Sequence, residues 1–255
     1  MLTVTVLGCD GSHQAMGGAC SSYVVKDWAT GGTLLVDAGS GSFANYQRFF
    51  SLEDVDAVVL SHSHPDHWAD LESLAVAMRY TSGRSRPLRI IAPSGVSRLV
   101  QHAVGPLFEW DEVSSGDRSV AGSMQLSFFA TDHVKTTLAL RVEVDDAEVG
   151  KISLGYTADT GSKWSPAELG YGLDMLVSEA TFTSLHEGRS QHLSGRQAGR
   201  FARDAGARRL MVTHYWPIES REAIAQEAED AFGGTVVQAR VGLGIAIMPE
   251  ASGRF

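Results

Sequence analysis

The sequence predicts an α/β protein of the α+β kind, with two sheets covered by helices, formed as a single domain over residues 1–255. Three observations point there. Strand-like segments precede helix-like ones in both halves, without the sustained βαβ alternation of a doubly wound sheet. A chain of 255 residues with 44% hydrophobic and 20% charged side chains is long enough to bury a sizeable core. No Pro/Ser-rich linker and no internal repeat divides it.

Leu2–Leu7 alternates apolar residues with Thr, as a strand does, and GCDGSHQAMGGAC follows as a Gly-rich loop. Ser22–Lys26 and Thr33–Val36 read as two further strands, and the short apolar run Asp56–Leu60 as a buried one. Trp68–Tyr80 carries Leu71, Leu74, Ala75 and Met78 at helical spacing. Leu88–Ala92 is expected as a strand, Ser94–Val104 as a helix, and Met124–Ala130 as a strand running into Asp132 and His133. Thr137–Val144 and Lys151–Tyr156 flank DDAEVG as a hairpin whose second arm delivers Asp159. Leu173–Val177, Arg208–Thr213, Thr235–Ala239 and Gly244–Met248 read as strands, and Ser194–Ala205 and Ser220–Phe232 as helices.

Charge and cysteine content narrow the function classes. Lys+Arg 21 against Asp+Glu 30 gives a formal charge of −9, which repels polyanions and disfavours large nucleic acids as partners. Two cysteines, Cys9 and Cys20, do not make a secreted disulfide framework. The start lacks the charged and apolar regions of a signal peptide, and no apolar run reaches the ~18 residues of a membrane span. A cytoplasmic protein without membrane contact is expected.

Residues 59–70 read VLSHSHPDHWAD, and place three of the chain's nine histidines within six positions. His62, His64, Asp66 and His67 lie where a buried strand ends and a helix begins. In extended backbone, side chains at i and i+2 point the same way, so His62 and His64 can share one ion while Asp66 and His67 turn toward a second. Neutral imidazoles suit zinc, and the carboxylate suits zinc or a harder ion such as manganese. A cluster this dense has little structural reason to exist, so two divalent metals, zinc or manganese, are implied.

SHSHPDHWAD resembles the HxHxDH motif of the metallo-β-lactamase superfamily. The resemblance extends along nearly the whole chain, through His133 in FFATDHVKTT, Asp159 in GYTADTG and His214 in LMVTHYW. It implies the superfamily's four-layer αββα sandwich. It also implies that His62, His64 and His133 hold one metal and Asp66, His67 and His214 the other, with Asp159 bridging. Two metals ~3.5–4 Å apart lower the pKa of a bridging water and clamp the attacking and leaving oxygens of a displacement. Such a site hydrolyses an ester, phosphodiester, thioester or amide.

Two further segments look like the ribonuclease Z-like branch. SEATF at 178–182 is similar to its HEAT motif, with Ser in the first place, and QHLSG at 191–195 to its HST loop, with Leu193 in place of a small polar residue. By that match His192 protonates the departing alkoxide, and Glu179 orients it and raises its pKa. Ribonuclease Z proper carries a long arm that grips tRNA; the intervals His133–Asp159 and Asp159–Glu179 leave it no room. HLSGRQAG and THYWPIESRE resemble an actinobacterial set containing cyclic-nucleotide phosphodiesterases. The resemblance thus implies attack by a metal-bridging hydroxide on a cyclic nucleotide or other small phosphodiester. The alternatives are tRNA 3′ processing, lactone or thioester hydrolysis, and a non-catalytic metal-binding sensor. Relatives in this branch are often dimers, so a homodimer is compatible.

Other features are read more plainly. Arg196, Arg200 and Arg203 form a helical stripe that is either a solvated face or a phosphate contact, and Arg84, Arg86 and Arg89 read as a polar loop or, alternatively, as a substrate-phosphate contact. Cys9, Cys20 and His13 match no zinc-site spacing, and His102 and His186 read as incidental. Tyr215 and Trp216 either fill the core or stack on a base.

Overall fold

The computed structural model describes residues 1–100 and 107–249. The chain opens with the antiparallel pair β1 (Leu2–Gly8) and β2 (Ser22–Asp27), which brackets the Gly-rich loop. β3 (Thr33–Val36) returns against β2 and leads, past helix α1 (Ser42–Phe49), into β4 (Ala57–Val59). Helix α2 (Leu71–Tyr80) follows, and β5 (Leu88–Pro93) and β6 (Phe108–Val113) extend β3 and β4 in parallel. A second sheet begins as an antiparallel meander: β7 (Arg118–Ala121), β8 (Met124–Ala130), β9 (Leu138–Asp146) and β10 (Gly150–Tyr156). It continues in parallel through β11 (Met175–Glu179), β12 (Leu210–Thr213) and β13 (Val236–Gln238), connected by α3 (Gly195–Asp204) and α4 (Arg221–Phe232). Finally β14 (Gly244–Ile247) returns to β1, so the sheets run β14-β1-β2-β3-β4-β5-β6 and β13-β12-β11-β10-β9-β8-β7.

The layers follow from which faces are apolar. Val4, Tyr23 and Val36 of the first sheet meet Leu140, Leu154, Tyr156 and Val177 of the second in one buried cluster, and each fully buried side chain of this size contributes about 1.5–3 kcal/mol. Tyr23 and Tyr156 touch across it, ring centroids 5.3 Å apart. Phe43 and Tyr46 of α1 and Leu71, Leu74, Ala75 and Met78 of α2 cover the other face of the first sheet, against Leu35, Val58 and Ile90. Ala198, Ala202, Ile224 and Ala228 pack α3 and α4 on the second. Those two helices approach so closely that a Cβ at Gly195 or Gly199 would stand 2.1 or 2.2 Å from the carbonyl oxygen of Ile224 or Ala228. Among the described residues the result is two mixed sheets packed face to face with four helices outside them, the αββα sandwich that the resemblance implies.

Some elements differ from expectation. The helix expected from Trp68 starts at Leu71, because Pro65–His67 forms a separate 3₁₀ turn and Trp68 leaves helical backbone to donate its indole N–H to Ser63 O. Of the helix expected over Ser94–Val104, residues 96–98 form a 3₁₀ turn after Gly95, whose φ is 87°; positions 101–104, His102 included, lie outside the described residues. Three elements had no reading in the sequence. α1 is only 8 residues long, β6 is an edge strand rich in charge, and β7 is largely exposed.

Candidate metal centre

The fold brings one end of each sheet to one place. β3 and β4 run parallel, as do β10, β11 and β12, and β8 shares their direction through antiparallel β9. Glu179 ends β11, and the segments leaving the other strands carry Asp37, the His62–His67 cluster, His133, Asp159 and His214. Among the described residues the non-glycine positions with positive φ are Ser12 (63°), Asp37 (56°), Ala158 (51°) and His214 (59°), all at this end. Left-handed backbone is costly for such residues and concentrates where a side chain must be aimed.

Two groups of donor atoms result. His62 Nε2 and His133 Nε2 stand 3.0 and 3.2 Å from His64 Nδ1, and Asp159 Oδ2 lies 3.5 Å from His62 Nε2 and 3.8 Å from His133 Nε2. On the other side, Asp159 Oδ1 is 3.3 Å from both His67 Nε2 and His214 Nε2, and Asp66 Oδ2 is 3.6 and 3.4 Å from the same two nitrogens. Four donors about 2.0–2.1 Å from one ion at tetrahedral angles stand about 3.3–3.4 Å apart, so both spacings fit a divalent metal. Asp159 turns one oxygen to each group.

The buried atoms agree. His67 Nε2, Asp159 Oδ1 and His214 Nε2 are enclosed without a hydrogen-bond partner, although buried polar atoms are nearly always paired. Burial and the neighbouring His67 hold the His62 imidazole well below its ordinary pKa, and burial also lowers His64 and His133, leaving neutral rings with lone pairs. For His67 burial acts downward too, but Asp159, Asp37 and Asp66 outweigh it and raise its pKa well above the ordinary value. Asp66 and Asp159 are held below the usual carboxylate range despite burial, chiefly by His67 and His214. Asp66 and Asp159 among the donors, with Asp37 behind His67, gather three carboxylates, a charge that divalent ions would offset.

A second ring of contacts aims the donors. Asp37, which drew no reading in the sequence, is fully buried. It accepts from Ser61 N–H at 2.7 Å, Ser61 Oγ at 2.9 Å, Tyr156 Oη at 2.7 Å and His67 Nδ1 at 2.7 Å. Since the Ser61 hydroxyl proton goes to Asp37, His62 Nδ1–H donates to Ser61 Oγ at 3.0 Å, and both histidines present Nε2 inward. His133 Nδ1 faces Gln191 O at 3.2 Å. Ser12 N–H donates to Asp66 Oδ2 at 2.7 Å, and Gly11 lies so close to the His214 ring that a Cβ would come within 2.7 Å of it. Asp37 followed by AGSG at a strand end was the available sequence signal.

His192 and Glu179 also meet here. His192 Nδ1 lies 3.0 Å from Glu179 Oε1, and its ring centroid is 5.2 Å from those of both His133 and His214. Glu179 accepts three more hydrogen bonds, from Thr160 N–H (2.7 Å), Leu193 N–H (3.1 Å) and Thr181 Oγ1 (2.7 Å). Thr181 Oγ1 in turn accepts from His214 Nδ1 at 2.9 Å. Burial pulls the His192 pKa down, but the Glu179 charge and hydrogen bond prevail and raise it to about 9.

Other candidates fall elsewhere. Cys9 and Cys20 are buried free thiols, pushed up by burial to about 11 and about 12, and join no ligand cluster among the described residues. Arg196 pairs with Glu187 and Arg203 with Asp204, while Arg200 lies over Phe201. Arg84 donates to Leu52 O and Val55 O, and Arg89 pairs with Asp111. Tyr215 is buried with its hydroxyl on Val212 O, so it fills core and cannot stack on a ligand. His186, read as incidental, is paired with Glu219 beside Trp216. No helix among the described residues is long and apolar enough to cross a membrane.

Residues 33–215 match the family model described as beta-lactamase superfamily domain. A probable metallo-hydrolase, YhfI of Bacillus subtilis, is 30% identical over 94% of this chain and 98% of its own length. The crystal structure of YhfI, described as a metallo-beta-lactamase fold protein, superposes with a TM-score of 0.85 at 28% identity, over 96% of this chain and 98% of that one. A ribonuclease Z of Halorubrum lacusprofundi is 29% identical over 91% of this chain and 93% of its own.

Proposed function

This chain belongs to the beta-lactamase superfamily as one of its metallo-hydrolases, and on that premise we propose that it is a phosphodiesterase for a cyclic nucleotide or another small phosphodiester. The observation that carries the reading is the His192–Glu179 pair beside the donor cluster. An alkoxide is a poor leaving group and needs a proton as it departs, whereas a thiolate does not. In this reading His62, His64, His133 and Asp159 hold one divalent ion, and Asp66, His67, His214 and Asp159 the other; zinc and manganese both suit the donors. When bound, such ions supply a nucleophile from water at neutral pH and offset the charge growing on a phosphoryl group.

The chain's own residues do the rest. Glu179 engages His192 Nδ1, so the proton to be delivered sits on Nε2 and passes to the departing oxygen. Four accepted hydrogen bonds, two of them from backbone N–H groups, fix Glu179 in place against His192. Asp37 holds His67 in orientation, and Ser12 N–H does so for Asp66. A small substrate is favoured over tRNA by the charge of −9 and by the short path from His133 to Asp159, which is only the β9–β10 hairpin. Purified protein loaded with zinc or manganese is expected to turn over bis(p-nitrophenyl) phosphate and cyclic AMP. Inertness toward both, with clear lactone or thioester hydrolysis, would falsify the reading.

A further inference from the structure

A cleft of about 300 Å³ opens beside His192, between the segment 181–192 and the turn after His214. Clefts of about 430 and 800 Å³ exist along α3 and along β7–β9, but neither contains a donor of the metal centre. In the cleft beside His192, Phe182 is buried and Trp216 half-buried. The His186 ring stands nearly edge-on to both, at centroid distances of 6.4 Å and interplanar angles of 83° and 74°.

These walls are held before any ligand arrives. His186 is paired with Glu219, which also accepts from Thr183 Oγ1 at 3.1 Å, and Trp216 N–H donates to Thr181 O at 2.9 Å. Rigid aromatic walls lose little entropy on binding a flat molecule. Arg189 lines the cleft, is exposed, and has no carboxylate partner among the described residues. Its guanidinium is therefore available to acceptor atoms of a ligand. His192 lines the same cleft, so a group bound there would lie beside the oxygen that His192 protonates in the proposed reaction.

From this arrangement we infer that the cleft is a nucleobase site: the base carried by the leaving half of the phosphodiester stacks on Trp216, and Arg189 donates to the acceptors on its edge. The inference rests on the phosphodiesterase reading; of the two substrate kinds that reading allows it selects the nucleotide, and it adds where the base sits. A plain sugar phosphate or an aliphatic diester would leave the aromatic walls unused.

The test is calorimetric titration of metal-loaded protein with AMP and with ribose 5-phosphate, which share a phosphate and a sugar and differ by the base. AMP is expected to bind at least about tenfold tighter, the scale of one base stacked on an aromatic ring. Trp216→Ala is expected to bring AMP to within about twofold of ribose 5-phosphate, and ribose 5-phosphate itself to stay unchanged. Should that variant fold poorly, Trp216→Leu, which keeps bulk without a flat face, is to lose the same preference. Equal binding of the two probes, or a preference that survives loss of the indole, overturns the inference. Turnover of bis(p-nitrophenyl) phosphate by the same sample separates this failure from failure of the phosphodiesterase reading, since that ester carries no base.

Discussion

Replacing Asp37 by Asn tests whether the inner donors depend on what stands behind them. The amide has the shape of the carboxylate but puts an NH₂ where one oxygen was. Oδ1 accepts from Ser61 N–H, and Oδ2 from Ser61 Oγ, Tyr156 Oη and His67 Nδ1. The less damaging amide orientation therefore sets NH₂ against the Ser61 N–H and leaves that buried donor without an acceptor. One such loss costs about 1–3 kcal/mol. At 2–4 °C per kcal/mol for a chain of this size, the melting temperature of the metal-free protein should fall by about 2–12 °C. The His67 ring also loses its anionic anchor, for which a 10–100-fold drop in metal affinity is the usual scale, roughly. Scanning calorimetry and competition against a chelating dye measure the two effects. A variant with unchanged melting temperature and unchanged metal affinity would refute the reasoning, because buried Asp37 would then orient nothing.

His192→Ala should lower kcat/KM by about 10²–10⁴ on an ester with an alkoxide leaving group, and much less on bis(p-nitrophenyl) phosphate, in steady-state assays. Because the acid must be protonated and the His192 pKa is raised to about 9, kcat/KM should fall as pH rises through that value. Glu179→Gln removes the charge that raises it, so the alkaline limb should move to lower pH; a limb that stays put counts against the acid assignment. Chelation should lower the melting temperature, since ions present at 100 times their Kd stabilise by about 2.7 kcal/mol, and elemental analysis should find two per chain before treatment. Gly199→Ala places a methyl 2.2 Å from Ala228 O, so α3 and α4 must separate; denaturant titration should show a loss of about 1–3 kcal/mol.

What could be read without coordinates was local. Strand alternation in Leu2–Leu7, the helical spacing of Leu71, Leu74, Ala75 and Met78, and the density of His62–His67 are short-range patterns, visible because neighbours in sequence are neighbours in space. His133, Asp159 and His214 were placed by resemblance, since nothing near them in sequence distinguishes a ligand from a strand-end polar residue. Elements that draw little on the core, such as exposed β7 and charged edge strand β6, gave no periodic signal. The bridging place of Asp159 was implied by resemblance, but only the tertiary structure shows how the ends of two sheets meet, with Asp159 Oδ2 toward one donor group and Oδ1 toward the other. It also supplied the contacts that aim the donors. Tyr156 reaches Asp37 across 119 positions, and Ser12 reaches Asp66 across 54. Such contacts arise from strand order and sheet packing, which bring together groups whose own sequence surroundings carry no trace of one another.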